Sequence, residues 1–221
     1  MLYVIVTARS LLWVLTSLFS TLLMLSAFLS PSWLLSAPET VYFGNETVTY
    51  RPSVGVYAKC SKPIGFEHPV CTLLALRGLA TESFIYPTPW KAATVFLALG
   101  LSIMSLTVCT GLLSCCFQSI FKKSIFNVSG AAQAIAGICY IIGVMLHPMA
   151  WGSERVQKLC GRETSAFYPD KCSIGIGLWL AIIATVLTFV CSCLSLPAEK
   201  STSSDKVQDK IYEGQTLICL T

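Results

Sequence analysis

The chain has 221 residues, of which 54% are hydrophobic and only 12% charged, with a formal net charge of +4. Its mean hydropathy of +0.70 lies far above that of an ordinary soluble domain, and charges this sparse leave no basic stripe for a nucleic-acid partner. The composition is that of a chain whose solvent is largely lipid.

Four stretches without Asp, Glu, Lys or Arg set the organisation: about Ser10–Leu35, Ala92–Ser119, Ile125–Ala150 and Ser173–Leu196. Each is long enough to cross a hydrocarbon core of about 30 Å as a helix. The first competes with a signal peptide. Its apolar run continues from Leu11 to Leu35, beyond the 7–15 residues of a signal core, so an uncleaved span is expected.

The segment from about 36 to 91 follows. Thr40–Phe43 and Thr47–Tyr50 are rich in β-formers and flank Gly44-Asn45-Glu46, a hairpin signal. Asn45-Glu46-Thr47 is also an N-glycosylation acceptor. In "SVGVYAKC" alternation puts Val54, Val56, Ala58 and Cys60 on one face of a strand, and "VCTLL" returns antiparallel after "CSKPIGFEHPVC". Cys60, His68 and Cys71 supply at most three zinc ligands where a structural site takes four, so a disulfide is the better reading.

Span two ends near Cys115 and Cys116, a position suited to palmitoylation, with small packing residues as the competing reading. The loop from about 120 to 124 holds Lys122 and Lys123 without an acid; Arg9 precedes span one and Lys200 follows span four. The positive-inside rule therefore puts this loop and both termini in the cytosol, and segments 36–91 and 151–172 outside. A second acceptor match, Asn127-Val128-Ser129, falls on the cytosolic side and is expected to stay unmodified.

Span three carries Gly130 and Ala134, and Ala132 and Ala136, at four-residue spacing; span four carries Gly177, Ala181 and Thr185. Such stripes let helices approach closely in lipid, with contact inside a bundle as the first reading and self-association as the second. Gln133 and His147 are the main polar residues within the spans, and an interhelical hydrogen bond accounts for either. Spans without ionisable carboxylates or amines speak against an ion-coupled carrier. No P-loop, G-x-S-x-G or H-E-x-x-H is present, so neither catalysis nor a cofactor or metal is expected.

The segment from about 151 to 172 adds Cys160 and Cys172 to Cys60 and Cys71. Four cysteines in an oxidising space allow three pairings, and the sequence alone does not choose among them. Local pairing, Cys60–Cys71 and Cys160–Cys172, is preferred; each loop of about a dozen residues would contribute roughly 3 kcal/mol. The tail from about 197 to 221 is polar until its last residues and is expected to be solvated, with Ser201–Ser204 open to phosphorylation.

Trp33 after span one, then Gly55-Val56-Tyr57-Ala58-Lys59-Cys60 and Cys71, resembles the pattern of the claudin and peripheral myelin protein superfamily, with Tyr57 where claudins have tryptophan. Longer stretches, "KKSIFNVSGAAQAIAGICYIIGVMLHPMAWG" (122–152), "YPDKCSIG" (168–175) and the tail "STSSDKVQDK…EGQTLICL", are similar to the lipoma HMGIC fusion partner-like tetraspan family. That resemblance implies a membrane all-α fold: a left-handed, claudin-like bundle of four transmembrane helices with a small extracellular antiparallel sheet. It also implies a plasma-membrane auxiliary subunit that binds, traffics or stabilises a larger receptor, channel or adhesion protein, with claudin-like adhesion as the alternative. The positions it carries over are Trp33, Gly55, Tyr57, Cys60, Cys71, Cys160 and Cys172.

Overall fold

The computed structural model describes residues 4–43, 46–61, 70–73, 87–113, 119–120, 123–215 and 217–220. Its helices are α1 (Ala8–Leu29), α2 (Thr88–Leu113), α3 (Ile125–Met149), α4 (Glu154–Cys160), α5 (Ile176–Thr202) and α6 (Asp205–Tyr212). Among the described residues four, α1, α2, α3 and α5, are long and apolar enough to cross a membrane; a 3-10 turn over Ala150–Gly152 extends α3.

Helix ends depart from the ends of the apolar runs for local reasons. The first run continues to Leu35, yet α1 stops at Leu29. The Ser30 amide bonds the carbonyls of Ser26 (3.0 Å) and Ala27 (3.2 Å). Pro31 then pushes Ser30 out of helical space and brings no N–H of its own. Leu34–Leu35 become a strand, β2, and at the start of the fourth run Ser173–Ile174 become another, β10. The chain forms two compact units, and every long helix contributes a segment to each.

One unit comprises Met1–Leu23, Leu99–Cys139 and Ala184–Thr221. Trp13 is fully buried and meets Phe126 edge-on at 5.2 Å, with Val14 and Ala198 completing the cluster. Gln133, also fully buried, accepts from Trp13 Nε1 (3.1 Å) and donates to Ser17 Oγ (2.8 Å), so one amide joins α1 to α3. Ser20 Oγ donates to the Ala184 carbonyl (3.1 Å) and bonds the Thr188 hydroxyl (3.0 Å), joining α1 to α5. Gly130 packs directly against Ser195, and Ser192 Oγ donates to the Gly130 carbonyl (2.8 Å), so this small-residue position serves contact within the chain. Gln133→Leu removes two interhelical bonds and is expected to cost about 1–2 kcal/mol. Thermal unfolding in mild detergent measures it, and an unchanged midpoint would count against the bridging role.

The tail differs from its expectation. α5 runs on to Thr202, α6 follows, and β11 (Leu217–Leu220) pairs in parallel with β1 (Val4–Thr7), from Val4↔Leu217 to Thr7↔Leu220. Val207 and Ile211, four apart on α6, pack on Ile5 and Ile218, and the Thr7 and Ser201 hydroxyls bond at 2.7 Å. A few apolar residues in a polar segment suffice because their partners come from the opposite end of the chain.

The other unit comprises Met24–Ala98 and Tyr140–Ile183. Its sheet has the order β10-β2-β5-β6-β7, with β5 (Ser53–Val54), β6 (Ala58–Ser61) and β7 (Val70–Leu73). All neighbours are antiparallel. β3 (Glu39–Phe43) and β4 (Glu46–Tyr50) form a separate hairpin, and in the first unit β8 (Ser119–Ile120) pairs antiparallel with β9 (Lys123–Ser124). "SVGVYAKC" is not one strand: Ser53 pairs with Cys60 and Val54 with Lys59, and Gly55 to Tyr57 make the turn between them, closed by the Gly55 amide on the Ala58 carbonyl (2.8 Å). Alternation carries no signal against a turn whose side chains are themselves buried, as Val56 is.

Candidate functional site

The sheet-bearing unit gathers most of the residues that the sequence singles out. Cys60 and Cys71 face each other across β6 and β7 and are joined by a disulfide; a second disulfide links Cys160, the last residue of α4, to Cys172 just before β10. Tyr57, in the turn, stacks on Phe28 near the end of α1 (5.7 Å between rings, 13° between planes). Gly55 lies directly on the Ser30 carbonyl, where a side chain has no room. Asn45, Cys115, Cys116 and His68 lie outside the described residues.

Trp33 is fully buried and donates Nε1–H to the Ala27 carbonyl (2.7 Å), satisfying a carbonyl in the last turn of α1. Its ring lies 4.7 Å from that of His147, which stacks nearly parallel on Trp90 (5.1 Å, 7°) and meets Trp151 edge-on at 6.3 Å. Trp90 Nε1–H donates to the His147 carbonyl (3.0 Å). Three tryptophans thus enclose one histidine, and the interhelical hydrogen bond expected of His147 is not made: its ring packs against indoles, and neither ring nitrogen has a hydrogen-bond partner among the described residues. In sequence these residues are up to 118 positions apart (Trp33 to Trp151), so no local pattern reveals them.

α4 packs beside the sheet through the fully buried Val156, and Ser36 Oγ donates to the Leu159 carbonyl (2.8 Å). Between α4 and strands β5 and β6 opens a pocket of about 210 Å³. Val54, Trp90, Val156 and Leu159 line it, with Ser53, Lys59, Ser61, Arg155 and Lys158 around them. The arrangement offers no nucleophile with an adjacent base, and among the described residues no three His, Cys, Asp or Glu side chains cluster as metal ligands. Among the described residues, what the arrangement presents is an apolar-walled recess flanked by two disulfides.

Comparison with known sequences agrees with this architecture. A model of the family described as "Lipoma HMGIC fusion partner-like protein" matches residues 9–197. The chain is 41% identical, over all of both chains, to LHFPL tetraspan subfamily member 2 protein of Homo sapiens, and likewise 41% identical to the member 2a protein of Danio rerio. To the member 3 protein of Homo sapiens it is 26% identical, over 90% of this chain and 82% of the relative.

Proposed function

This chain belongs to the lipoma HMGIC fusion partner-like family, a multi-pass membrane protein with four membrane-spanning helices, and we propose that it serves as a non-catalytic accessory subunit of a larger membrane protein. It binds a receptor, channel or adhesion protein and stabilises or traffics it. The observation that supports this reading is the sheet-bearing unit: two disulfides and a packed aromatic core hold a surface rigid, which lowers the ordering cost of docking. Purification from native membranes in mild detergent is expected to recover a larger partner in fixed stoichiometry. Repeated recovery of this chain alone overturns the reading.

In this reading the termini are cytosolic, the sheet-bearing unit is extracellular at the plasma membrane, and Asn45 carries a glycan. Glycosidase treatment is then expected to shift the gel mobility of the wild type but not of Asn45→Gln; no shift in glycosylating cells rejects the orientation. The Trp33…Cys60…Cys71 layout supports a second reading, cell–cell adhesion. It requires enrichment at contacts when the protein is expressed in non-adherent cells.

A further inference from the structure

The loop between α4 and β10 carries a tight turn whose exposed side chains are aromatic. From Thr164 to Pro169 the loop holds no charge, while Arg162-Glu163 and Asp170-Lys171 flank it. Ser165 and Tyr168 exchange backbone hydrogen bonds (3.1 and 3.0 Å) around Ala166 and Phe167. Phe167 has φ +64°, in the left-handed region where a bulky side chain is an outlier and glycine is at ease. That conformation does not serve burial, because Phe167 and Tyr168 are 52% and 55% exposed. Backbone strain at residues held out of the core is the kind that function retains.

The turn is tied to the end of a membrane span. The Phe167 amide donates to the Pro148 carbonyl (3.0 Å) in the last turn of α3, and backbone atoms of Ser165 and Ala166 lie 3.5 Å from where a Cβ on Gly152 would stand. The span Ile125–Gly152 has 28 residues, about 42 Å of helix, against about 30 Å of hydrocarbon and about 40–45 Å of bilayer with its headgroups. Its end therefore reaches the headgroup zone. Trp33 sets the matching depth on α5, since its indole packs on His147 of α3 and on Gly177 of α5. At that level Trp179 of α5 is exposed, and Met145 and Met149 are exposed on α3. An exposed tryptophan near the end of a span marks the membrane–water interface.

We propose that the Ser165–Tyr168 turn is a membrane anchor, with Phe167 and Tyr168 inserted into the interfacial zone of the leaflet around the ends of α3 and α5. The occupant is lipid because the turn continues a surface that lipid already covers: the backbone of Phe167 is bonded to the residue before the exposed Met149. Phenylalanine suits the boundary of the acyl chains, and tyrosine can keep its hydroxyl among the headgroups. Arg162, Glu163, Asp170 and Lys171 stay at headgroup level, and their two positive and two negative charges suit a zwitterionic lipid. The Cys160–Cys172 disulfide closes the loop, so the anchor is joined covalently to the end of α4. This contact goes beyond the accessory-subunit reading and needs no protein partner.

The test uses the full chain in phosphatidylcholine nanodiscs. The photoreactive residue p-benzoylphenylalanine, which adds to a neighbouring C–H bond on irradiation, replaces Phe167, Tyr168, Trp179 or the exposed Glu163, one at a time. Intact mass is expected to rise by one phospholipid at 167 or 168, in a yield within about twofold of that at 179 and about fivefold above that at 163. Wild-type melting and thiol protection of Cys160 and Cys172 establish that a variant is folded. The wild type supplies a second measurement, free of substitution: hydroxyl-radical oxidation in the same nanodiscs, with Tyr212, 87% exposed, as the reference for Tyr168. Exposure alone makes the two rates differ by less than about twofold, and lipid cover is expected to slow Tyr168 about fivefold or more. If the variants do not fold, this oxidation ratio decides. Lipid adducts at 179 but at neither 167 nor 168 overturn the anchor, as does oxidation of Tyr168 within twofold of Tyr212. So does a main adduct between two copies of this chain, or to another protein when the variants are irradiated in native membranes, which assigns the turn to protein docking.

Discussion

Gly55→Ala is expected to prevent the sheet-bearing unit from folding, while Gly152→Ala leaves it intact. A Cβ at Gly55 would fall on the backbone carbonyl oxygen of Ser30 and lie 3.1 Å from Pro31 Cα. Neither is a side chain that can rotate away, so the turn from Gly55 to Tyr57 would have to leave the end of α1. That displaces the hairpin pairing of β5 with β6 and moves Tyr57 off Phe28. Overpacking against fixed backbone costs about 3 kcal/mol or more here, the upper part of the usual range. At Gly152 the nearest atoms to an added Cβ are 3.5 Å away, ordinary contact distance. The readout is the folded fraction on size exclusion together with protection of Cys60 and Cys71 from thiol reagents. Wild-type behaviour of Gly55→Ala would show that the contact with Ser30 does not constrain the fold.

The same glycine shows how far local sequence reaches. Charge-free runs disclose the four long helices because lipid imposes a length and excludes charge, and both constraints are local. Whole-length identity to the member 2 relatives supports the family read from the stretches around 122–152 and 168–175. The local pairing of Cys60 with Cys71 and Cys160 with Cys172 is likewise present. The turn at Gly55 is different: alternation in "SVGVYAKC" suggests one continuous strand, whereas the chain reverses there with Gly55 seated on the Ser30 carbonyl of a distant segment.

The tail makes the same point at longer range. Val207, Ile211 and Ile218 look too few for a core until Ile5 is placed beside them by the parallel pairing of the first and last strands. His147 looks like an isolated polar residue in a span, and two of its three tryptophan neighbours, Trp33 and Trp90, come from distant places in the chain. The pocket is the extreme case, because Lys59 and Lys158 share no sequence window and neither is unusual alone. Elements were legible where the solvent decides them; the site was not, because it is an encounter of residues chosen by tertiary packing.

Trp33 and Gly177 are expected to be strongly coupled, to the point that one substitution changes sign in the background of the other. Trp33 is fully buried, and an alanine there vacates a large side chain in contact with His147, at a cost of about 3–5 kcal/mol. Gly177→Ala alone brings a Cβ to 2.6 Å from Trp33 Cδ1 and 3.0 Å from Nε1, so the indole must shift. That shift stretches its bond to the Ala27 carbonyl, and the cost is about 1–3 kcal/mol. With Trp33 already alanine, the obstacle is gone. The remaining close atom, Ser30 Oγ at 3.0 Å, is a hydroxyl that can turn aside. Gly177→Ala is then neutral or slightly stabilising, because alanine suits a helix better than glycine. Thermal unfolding of the four proteins in one detergent closes the cycle, with an expected coupling of about 1–3 kcal/mol. Additive effects would mean that Gly177 is small for some reason other than the tryptophan seated on it.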